Sequence, residues 1–274
     1  MVVRRVSWVF AVFFGLLPAS AAQAQTAPQI TPQTSALQRE PVRLSLLDAG
    51  GERAGLLIRL APGWKFYWRT PGEGGLPPRF DWSASRNLAH AEVKWPAPQR
   101  INIGNTELYG YTGEVVLPIK LVPQQKGQPL DLDLALEYGV CKEICILRED
   151  RLTHRLSHGM NAPADIQSSA AVLVARWQAK VPQPAEQAGI RLVSRHSTPG
   201  ELGITLESDL PLSQPDLFIE GPSEAWFSRP EVSLSPDRRQ ARFVFSVSPV
   251  DAAAKPLTLT LVDDAIRAEM ALKP

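Results

Sequence analysis

Residues 130–145 read LDLDLALEYGVCKEIC, and this stretch decides the fold of the chain. Leucine occupies every second position from 130 to 136, and the positions between are Asp131, Asp133 and Ala135. Because successive side chains of a strand point to opposite faces, the pattern predicts a strand with one buried face. The two cysteines of the chain, Cys141 and Cys145, follow directly at the end of that strand.

Other short apolar runs extend the strand pattern over most of the chain. VRLSLL, GLLIRLAP, VKWPAP, EVVLPIKLV and DRLTHRL are predicted strands of the first part, and IRLV, LGITLES, DLFIEG, ARFVFSV, LTLTLV and IRAEMAL follow at sandwich-like spacing. The 25 prolines and 18 glycines suit many short strands joined by turns and disfavour long helices. The predicted fold class is therefore all-β, with two β-sandwich domains.

One segment departs from this pattern and predicts a helix. Between about Ala162 and Val181, apolar residues recur at helical spacing, and the segment ends at VPQP, where a helix is expected to stop before proline. The residues that carry the spacing are Ile166, Ala170, Leu173, Val174 and Trp177. The sequence thus divides into a signal peptide (1–24), a flexible lead-in (25–38), a cysteine-bearing sandwich (39–159), a helical connector (160–184) and a second sandwich without cysteines (185–274).

The N-terminus has the layout of a cleavable secretory signal. Arg4 and Arg5 precede an apolar stretch, and small residues follow it up to Ala24. The apolar stretch is shorter than the roughly 20 residues that a membrane-spanning helix needs. We therefore expect cleavage after Ala24 and a mature chain that is soluble outside the cytoplasm.

Charge and composition argue against two further classes of function. The formal net charge is +1 and no run of Lys and Arg occurs, so a nucleic-acid partner is not predicted. The glycine-rich GEGG at 72–75 lacks the lysine and the following helix of a phosphate-binding loop. We interpret it as a turn and predict no nucleotide or other small-molecule cofactor.

The spacing of the cysteine pair favours thiol–disulfide exchange. Four residues of extended chain span roughly 13 Å, whereas the Cα atoms of a disulfide lie within about 7 Å, so the chain must turn between Cys141 and Cys145. The pair is then expected at an accessible hairpin tip, where a partner's thiol could reach it. A purely structural disulfide is the competing interpretation, although closing so short a loop contributes only about 2 kcal/mol to stability in the chain-entropy model.

A metal site is a third interpretation of the same residues. His154 and His158 follow the cysteines in a C-x3-C…H-x3-H arrangement that superficially matches a zinc module. His154 lies in a strand-like segment, where residues four apart are about 13 Å from one another and too far apart to share one ion. No metal ligands are therefore predicted.

The stretch from about Gly55 to Leu156 resembles the N-terminal periplasmic domain of the disulfide reductases DsbD and ScsB. The pieces that carry the resemblance are, in order, GWKFYWRTPGEGGLPPRFDW, VKWPAPQRI, ELYGYTGEVVLPIKL and EYGVCKEICILRED. The second domain and the connector resemble the ScsB-type region more loosely. Domains of this family are immunoglobulin-like sandwiches, which makes two immunoglobulin-like sandwiches joined by a helical connector the expected fold.

The resemblance also implies the partners. Such domains receive electrons from a membrane-embedded transporter and pass them to periplasmic thioredoxin-like proteins. Within the 274 residues no membrane domain or thioredoxin-like domain follows the sandwiches, so we expect a separate DsbD-like or CcdA-like protein to supply the electrons.

By the same resemblance, Cys141 and Cys145 are the redox pair. The family has a cap loop over its disulfide, and the segment from residue 106 to residue 110 lies at the matching position. Glu107, Leu108 and Tyr109 are the expected cap residues. The chain departs from the family pattern at Leu108, where DsbD has an aromatic residue, and at position 106, where it has an acid.

Tyr67, within GWKFYW, corresponds to an aromatic residue that lines the site in the relatives. Core packing together with Trp64 and Trp68 is the competing interpretation of Tyr67. The leading hypothesis for the whole chain is a periplasmic thiol–disulfide interchange protein, a component of protein-disulfide reduction. The alternative is a non-catalytic periplasmic adaptor or copper- or zinc-handling module with a structural disulfide.

Overall fold

The computed structural model of the chain describes residues 40–104, 106–156, 169–264 and 266–273. The predicted signal peptide and flexible lead-in lie outside these residues, as do Ile166 and His158. Within the described ranges, no helix is long and apolar enough to cross a membrane.

The first half of the described chain folds into two facing antiparallel sheets. One sheet has the strand order β1-β2-β8-β5, and the other has the order β10-β9-β3-β7-β6, with the short β4 paired to β9. The strands are β1 (Val42–Asp48), β2 (Arg53–Leu60), β3 (Lys65–Gly72), β4 (Arg79–Asp81), β5 (Leu88–Val93), β6 (Gln99–Ile103), β7 (Thr106–Thr112), β8 (Glu114–Pro123), β9 (Leu130–Cys141) and β10 (Cys145–Leu156).

The alternation in β9 builds the core of this sandwich. The four alternating leucines of β9 are at most 1% exposed, and they pack in one cluster with apolar side chains of β2 and β8 from the opposite sheet. The polar residues between them face outward, where Asp133 pairs with Arg151 of β10 at 2.7 Å. The predicted one-sided strand is therefore confirmed.

The predicted helix is present as α1 (Ser169–Gln178). It packs on the outer face of the sheet β1-β2-β8-β5, where Ala171 and Val174 form a buried cluster with Leu57 of β2 and Val116 of β8. The helix approaches the sheet closely at Gly55, where an added Cβ would lie 2.7 Å from Val174. The connector is thus part of the first sandwich's packing.

The second half of the described chain forms another pair of sheets. Their strand orders are β11-β19-β18-β14 and β12-β13-β17-β15, with β16 paired to β17. All six strands predicted here are found. The strands are β11 (Gln183–Pro184), β12 (Ile190–Thr198), β13 (Glu201–Ser208), β14 (Asp216–Glu220), β15 (Trp226–Phe227), β16 (Glu231–Leu234), β17 (Gln240–Ser248), β18 (Leu257–Asp263) and β19 (Ile266–Leu272), with a short 3-10 helix at Ala252–Ala254.

The structure confirms the all-β class with two immunoglobulin-like sandwiches, and it corrects one predicted strand. VKWPAP does not form a strand of its own, since β5 ends at Val93 and β6 begins at Gln99. Pro96 and Pro98 lack the backbone N–H that a ladder requires. Trp95 lies between the two strands, where it is buried against Phe80 with ring centroids 5.9 Å apart.

Candidate redox site

The two cysteines form a disulfide across the tip of the β9–β10 hairpin. Cys141 ends β9 and Cys145 begins β10, and the two residues are paired in the antiparallel register. Their sulfur atoms are 2.00 Å apart and their Cα atoms are 4.1 Å apart. Residues 142–144 make the turn, in which the Lys142 N–H donates to the carbonyl of Ile144. The turn expected between the cysteines is therefore present.

The two halves of the disulfide differ in their access to solvent. Cys141 is 1% exposed, whereas Cys145 belongs to the exposed residues. A thiolate attacks a disulfide along the S–S axis at a sulfur that it can reach, so access decides which sulfur reacts. The hairpin thus presents Cys145 to an incoming thiol and keeps Cys141 inside the protein.

Tyr67 lies against both sulfur atoms. Its hydroxyl oxygen is 2.7 Å from Cys141 Sγ and 3.1 Å from Cys145 Sγ, and in the disulfide state the phenol O–H is the donor. Burial raises the pKa of Tyr67, so the hydroxyl keeps its proton at neutral pH. Trp68 points the other way along β3 and is fully buried in the main core. Tyr67 is thus buried beside the disulfide, where it packs in a small cluster with Leu108 and Cys141.

Two glycines leave room for the Tyr67 ring. A Cβ added at Gly139 would lie 2.9 Å from Tyr67 Cε2, and one added at Gly75 would lie 2.8 Å from Tyr67 Cε1. Distances this short are steric clashes, so any larger side chain at either position would displace the ring. Gly75 belongs to the GEGG turn, which here forms one wall of the site.

The expected cap segment is strand β7, and its residues face two different directions. Leu108 is buried in a small cluster with Tyr67 and Cys141. The neighbouring Tyr109 lies on the opposite face of the strand, where its ring meets Phe218 of the second sandwich at 5.0 Å in an edge-to-face contact. Glu107 also faces that side and forms an ion pair with Arg100. Leu108 alone of the three has the disulfide as a neighbour.

Charged residues lie near the hairpin tip. Lys65 lies opposite Cys141 in the register, and its Nζ donates to the carbonyl of Lys142 at 3.2 Å. Among the described residues, no group of three or more His, Cys, Asp or Glu side chains is arranged to hold a metal ion.

A β-sandwich that carries a two-cysteine disulfide on a hairpin tip, beside a buried tyrosine, defines a thiol–disulfide interchange domain. Comparison with known proteins points to the same class. Residues 33–157 match the family described as the N-terminal domain of the thiol:disulfide interchange protein DsbD, and the match supports a DsbD- or ScsB-type N-terminal domain in this part of the chain. Residues 180–274 match a domain of unknown function, DUF8393.

Solved structures extend the comparison over both sandwiches. The N-terminal periplasmic domain of ScsB from Proteus mirabilis is 26% identical, with a TM-score of 0.66, over 84% of this chain and 90% of that one. The reduced DsbD N-terminal domain from Neisseria meningitidis is 14% identical, with a TM-score of 0.28, over 43% of this chain and 86% of that one. The chain matches no curated protein sequence. The family and the disulfide together support thiol–disulfide interchange as the general function.

Sequence reasoning did not identify the residues that join the site to the second sandwich. Arg100 contacts Asp216, which is 116 residues further along the chain, and no local pattern signals such a pair. The glycines beside Tyr67 were interpreted only as turn or strand residues, because a single sequence does not reveal which ring lies over them.

Proposed function

We propose that the chain is a periplasmic thiol–disulfide interchange protein that relays reducing equivalents through Cys141 and Cys145 to periplasmic partners. The observation that carries the proposal is the asymmetric disulfide, with one sulfur presented at an exposed hairpin tip and the other held by Tyr67. The family match of residues 33–157 supports the same chemistry.

The oxidised protein is reduced in two exchange steps. A thiolate of the electron donor attacks Cys145 Sγ, the S–S bond breaks, and Cys141 leaves as a thiolate while a mixed disulfide forms at Cys145. The donor's second thiolate then attacks its own sulfur in the mixed disulfide and releases Cys145. The donor dithiol is thereby oxidised to a disulfide, and this protein gains two electrons and two protons. The same steps in reverse order reduce a partner's disulfide.

Tyr67 assists this exchange at the leaving group. Its hydroxyl can donate a hydrogen bond to the sulfur of Cys141 as negative charge develops there. Hydrogen bonds to charged groups are worth about 1.5–3 kcal/mol, which exceeds those between neutral groups. Tyr67 therefore favours the departure of Cys141 as a thiolate.

The surface around the hairpin tip is suited to docking a partner. Leu76, Ile144 and Leu147 are 47%, 71% and 67% exposed, which is unusual for large apolar side chains so close together. Leu147 pairs with Gly139 in the hairpin, and the Leu76 Cβ lies near the same glycine, so both flank the disulfide. We assign this surface to thioredoxin-like periplasmic proteins and to a membrane-embedded electron transporter, which would use it in turn.

Leu108 is the proposed cap residue. It covers the buried side of the disulfide, at Cys141 and Tyr67, and leaves the exposed Cys145 open to a partner. A periplasmic location is supported by the likeness to the periplasmic domain of ScsB and by the secretory layout of the first 24 residues.

Trapping a mixed disulfide tests the proposal with a matched pair of variants. Cys141→Ser removes the resolving thiol and leaves Cys145 to attack, so it should accumulate a mixed disulfide with the oxidised form of a thioredoxin-like partner. Cys145→Ser leaves only the buried Cys141 and should accumulate little. Non-reducing electrophoresis followed by mass spectrometry measures both. If neither variant forms the adduct, or Cys145→Ser forms it more readily, the proposed exchange is wrong.

A further inference from the structure

A nearly buried arginine joins the two sandwiches beside the redox site. Arg100 extends from β6, and its side chain is 3% exposed. Its Nε donates to both carboxylate oxygens of Asp216 at 2.9 and 2.7 Å, and its Nη2 donates to the carbonyl of Leu217 at 2.7 Å. The guanidinium also lies 4.7 Å above the ring of Phe218. All three of these partners belong to β14 of the second sandwich.

The same guanidinium holds strand β7 of the first sandwich. Nη1 of Arg100 donates to the Glu107 carboxylate and, at 3.2 Å, to the hydroxyl of Tyr109. These two residues flank Leu108 in sequence. Since side chains alternate along a strand, Leu108 points to the other face, where it packs on Tyr67 and Cys141. Arg100 thus fixes β7 from one side while Leu108 covers the site from the other.

The charge of this cluster depends on the second sandwich. Burial opposes the charge of Arg100, but Tyr109, Asp216 and Glu107 outweigh it and raise the pKa of the guanidinium. A buried cation that loses one of its carboxylate partners is left poorly compensated, which is strongly destabilising and favours rearrangement of the groups around it. Glu107 lies 3.6 Å from Arg229 as well, a more exposed cation of the second sandwich. Loss of Asp216 would leave Glu107 as the one carboxylate on Arg100, and the rearrangement of this pair would shift the strand that carries Leu108.

We infer that Asp216 of the second sandwich is a positioning residue, which acts through Arg100 and β7 to keep Leu108 over Cys141. This arrangement confines exchange to Cys145 and gives the second sandwich a role in the selectivity of the site. The inference rests on the proposed exchange at Cys145.

Alkylation of the reduced protein by iodoacetamide tests the inference, since this uncharged reagent reports the access of each thiol separately. In the wild type, Cys145 should react well before Cys141. In Asp216→Asn, the initial rate at Cys141 should rise by about fivefold or more, the lower end of typical coupling between sites, while the rate at Cys145 stays the same. Peptide mass spectrometry distinguishes the two positions.

Glu220→Gln is the matched control. Glu220 lies on the same strand β14, and it binds Arg69, which keeps a second carboxylate partner in Glu269. Glu220 also accepts a hydrogen bond from the Thr70 hydroxyl at 2.6 Å. The control makes the same charge change at the same interface and removes no hydrogen bond to Arg100, Glu107 or Tyr109, so Cys141 should stay as slow as in the wild type. A rise at Cys141 in both variants would mean general loosening of the interface and would overturn the inference.

The remaining outcomes are equally decisive. If the wild type is selective for Cys145 and Asp216→Asn alkylates with the same selectivity, the inference fails while the proposed function stands. If iodoacetamide alkylates Cys141 and Cys145 of the wild type at similar rates, both the inference and the proposed exchange at Cys145 fail. Cooperative thermal unfolding checks that Asp216→Asn is folded. If it is not, Glu107→Gln replaces it, because this variant breaks the same connection from the β7 side. An unchanged alkylation rate at Cys141 in Glu107→Gln overturns the inference.

Discussion

At the scale of single residues, the site depends on one hydroxyl and on the space made for it. Tyr67 reaches both sulfur atoms because Gly75 and Gly139 leave its ring unobstructed on two sides. A side chain of any size at either glycine would move the hydroxyl out of hydrogen-bonding distance. The family likeness indicated an aromatic residue here, whereas its hydrogen bond to the leaving sulfur is visible only in the structure.

Replacing Tyr67 by phenylalanine tests that hydrogen bond. The variant keeps the ring and loses the donor, so reduction of the disulfide by dithiothreitol should slow by about tenfold, the equivalent of about 1.4 kcal/mol in the barrier. Because burial raises the pKa of Tyr67, the hydroxyl stays protonated through neutral pH. The ratio of wild-type to variant rates should therefore be constant between about pH 7 and pH 9.

Tyr111→Phe is the control for this prediction. The Tyr111 hydroxyl is also buried and donates to the carbonyl of Pro96 at 2.7 Å, away from the cysteines. Its loss should lower stability without changing the reduction rate. Equal rates in wild type and Tyr67→Phe would show that Tyr67 only packs against the disulfide.

At the scale of elements, the β9–β10 hairpin carries the disulfide but does not depend on it. The two strands are paired from Leu130 with Leu156 to Cys141 with Cys145, and β9 is also paired with β3 and β4. Closure of the five-residue loop adds only about 2 kcal/mol in the chain-entropy model. The bond is therefore placed for access to a partner, and the core leucines hold the hairpin.

A Cys141→Ser, Cys145→Ser double variant should keep its strand-rich circular dichroism. The loss of about 2 kcal/mol should lower the melting temperature by about 4 to 8 °C in a protein of this size. The serine at the buried position 141 has the Tyr67 hydroxyl within reach as a hydrogen-bond partner. Reduced wild-type protein is the reference and should melt close to the double variant. Unfolding of the double variant at room temperature would identify the disulfide as a structural staple.

The elements also show where sequence reasoning succeeds and where it stops. Strands with one buried face, such as β9, were predicted from their alternation, and the structure confirms them. In β7, the residues from Leu108 to Tyr111 are all buried, because the strand packs on both sides. When both faces of a strand are buried, the pattern of apolar residues does not show which face packs on which part of the protein. The family resemblance placed Leu108 and Tyr109 in one cap segment, and the structure places these two side chains on opposite faces of β7.

At the scale of the whole molecule, the two sandwiches meet through a shared core and paired charges. Phe218 of the second sandwich belongs to the main core of the first, with its ring 6.2 Å from Trp68. Arg69 of the first sandwich binds two carboxylates of the second sandwich, Glu220 and Glu269. Arg100 binds one carboxylate from each sandwich, Glu107 and Asp216. Such an interface fixes the second sandwich on strands β3, β6 and β7 of the first, which a simple spacer would not require.

The central claim is that the Cys141–Cys145 bond is exchanged in use, and its reduction potential tests this most directly. The full chain would be equilibrated with glutathione buffers of known potential, and the oxidised fraction measured by thiol labelling and mass spectrometry. A bond at an exposed hairpin tip, with a stabilised leaving thiolate, should have a potential well above the roughly −300 mV below which structural disulfides lie. A potential at or below about −300 mV would contradict the account and favour a non-catalytic adaptor with a structural disulfide.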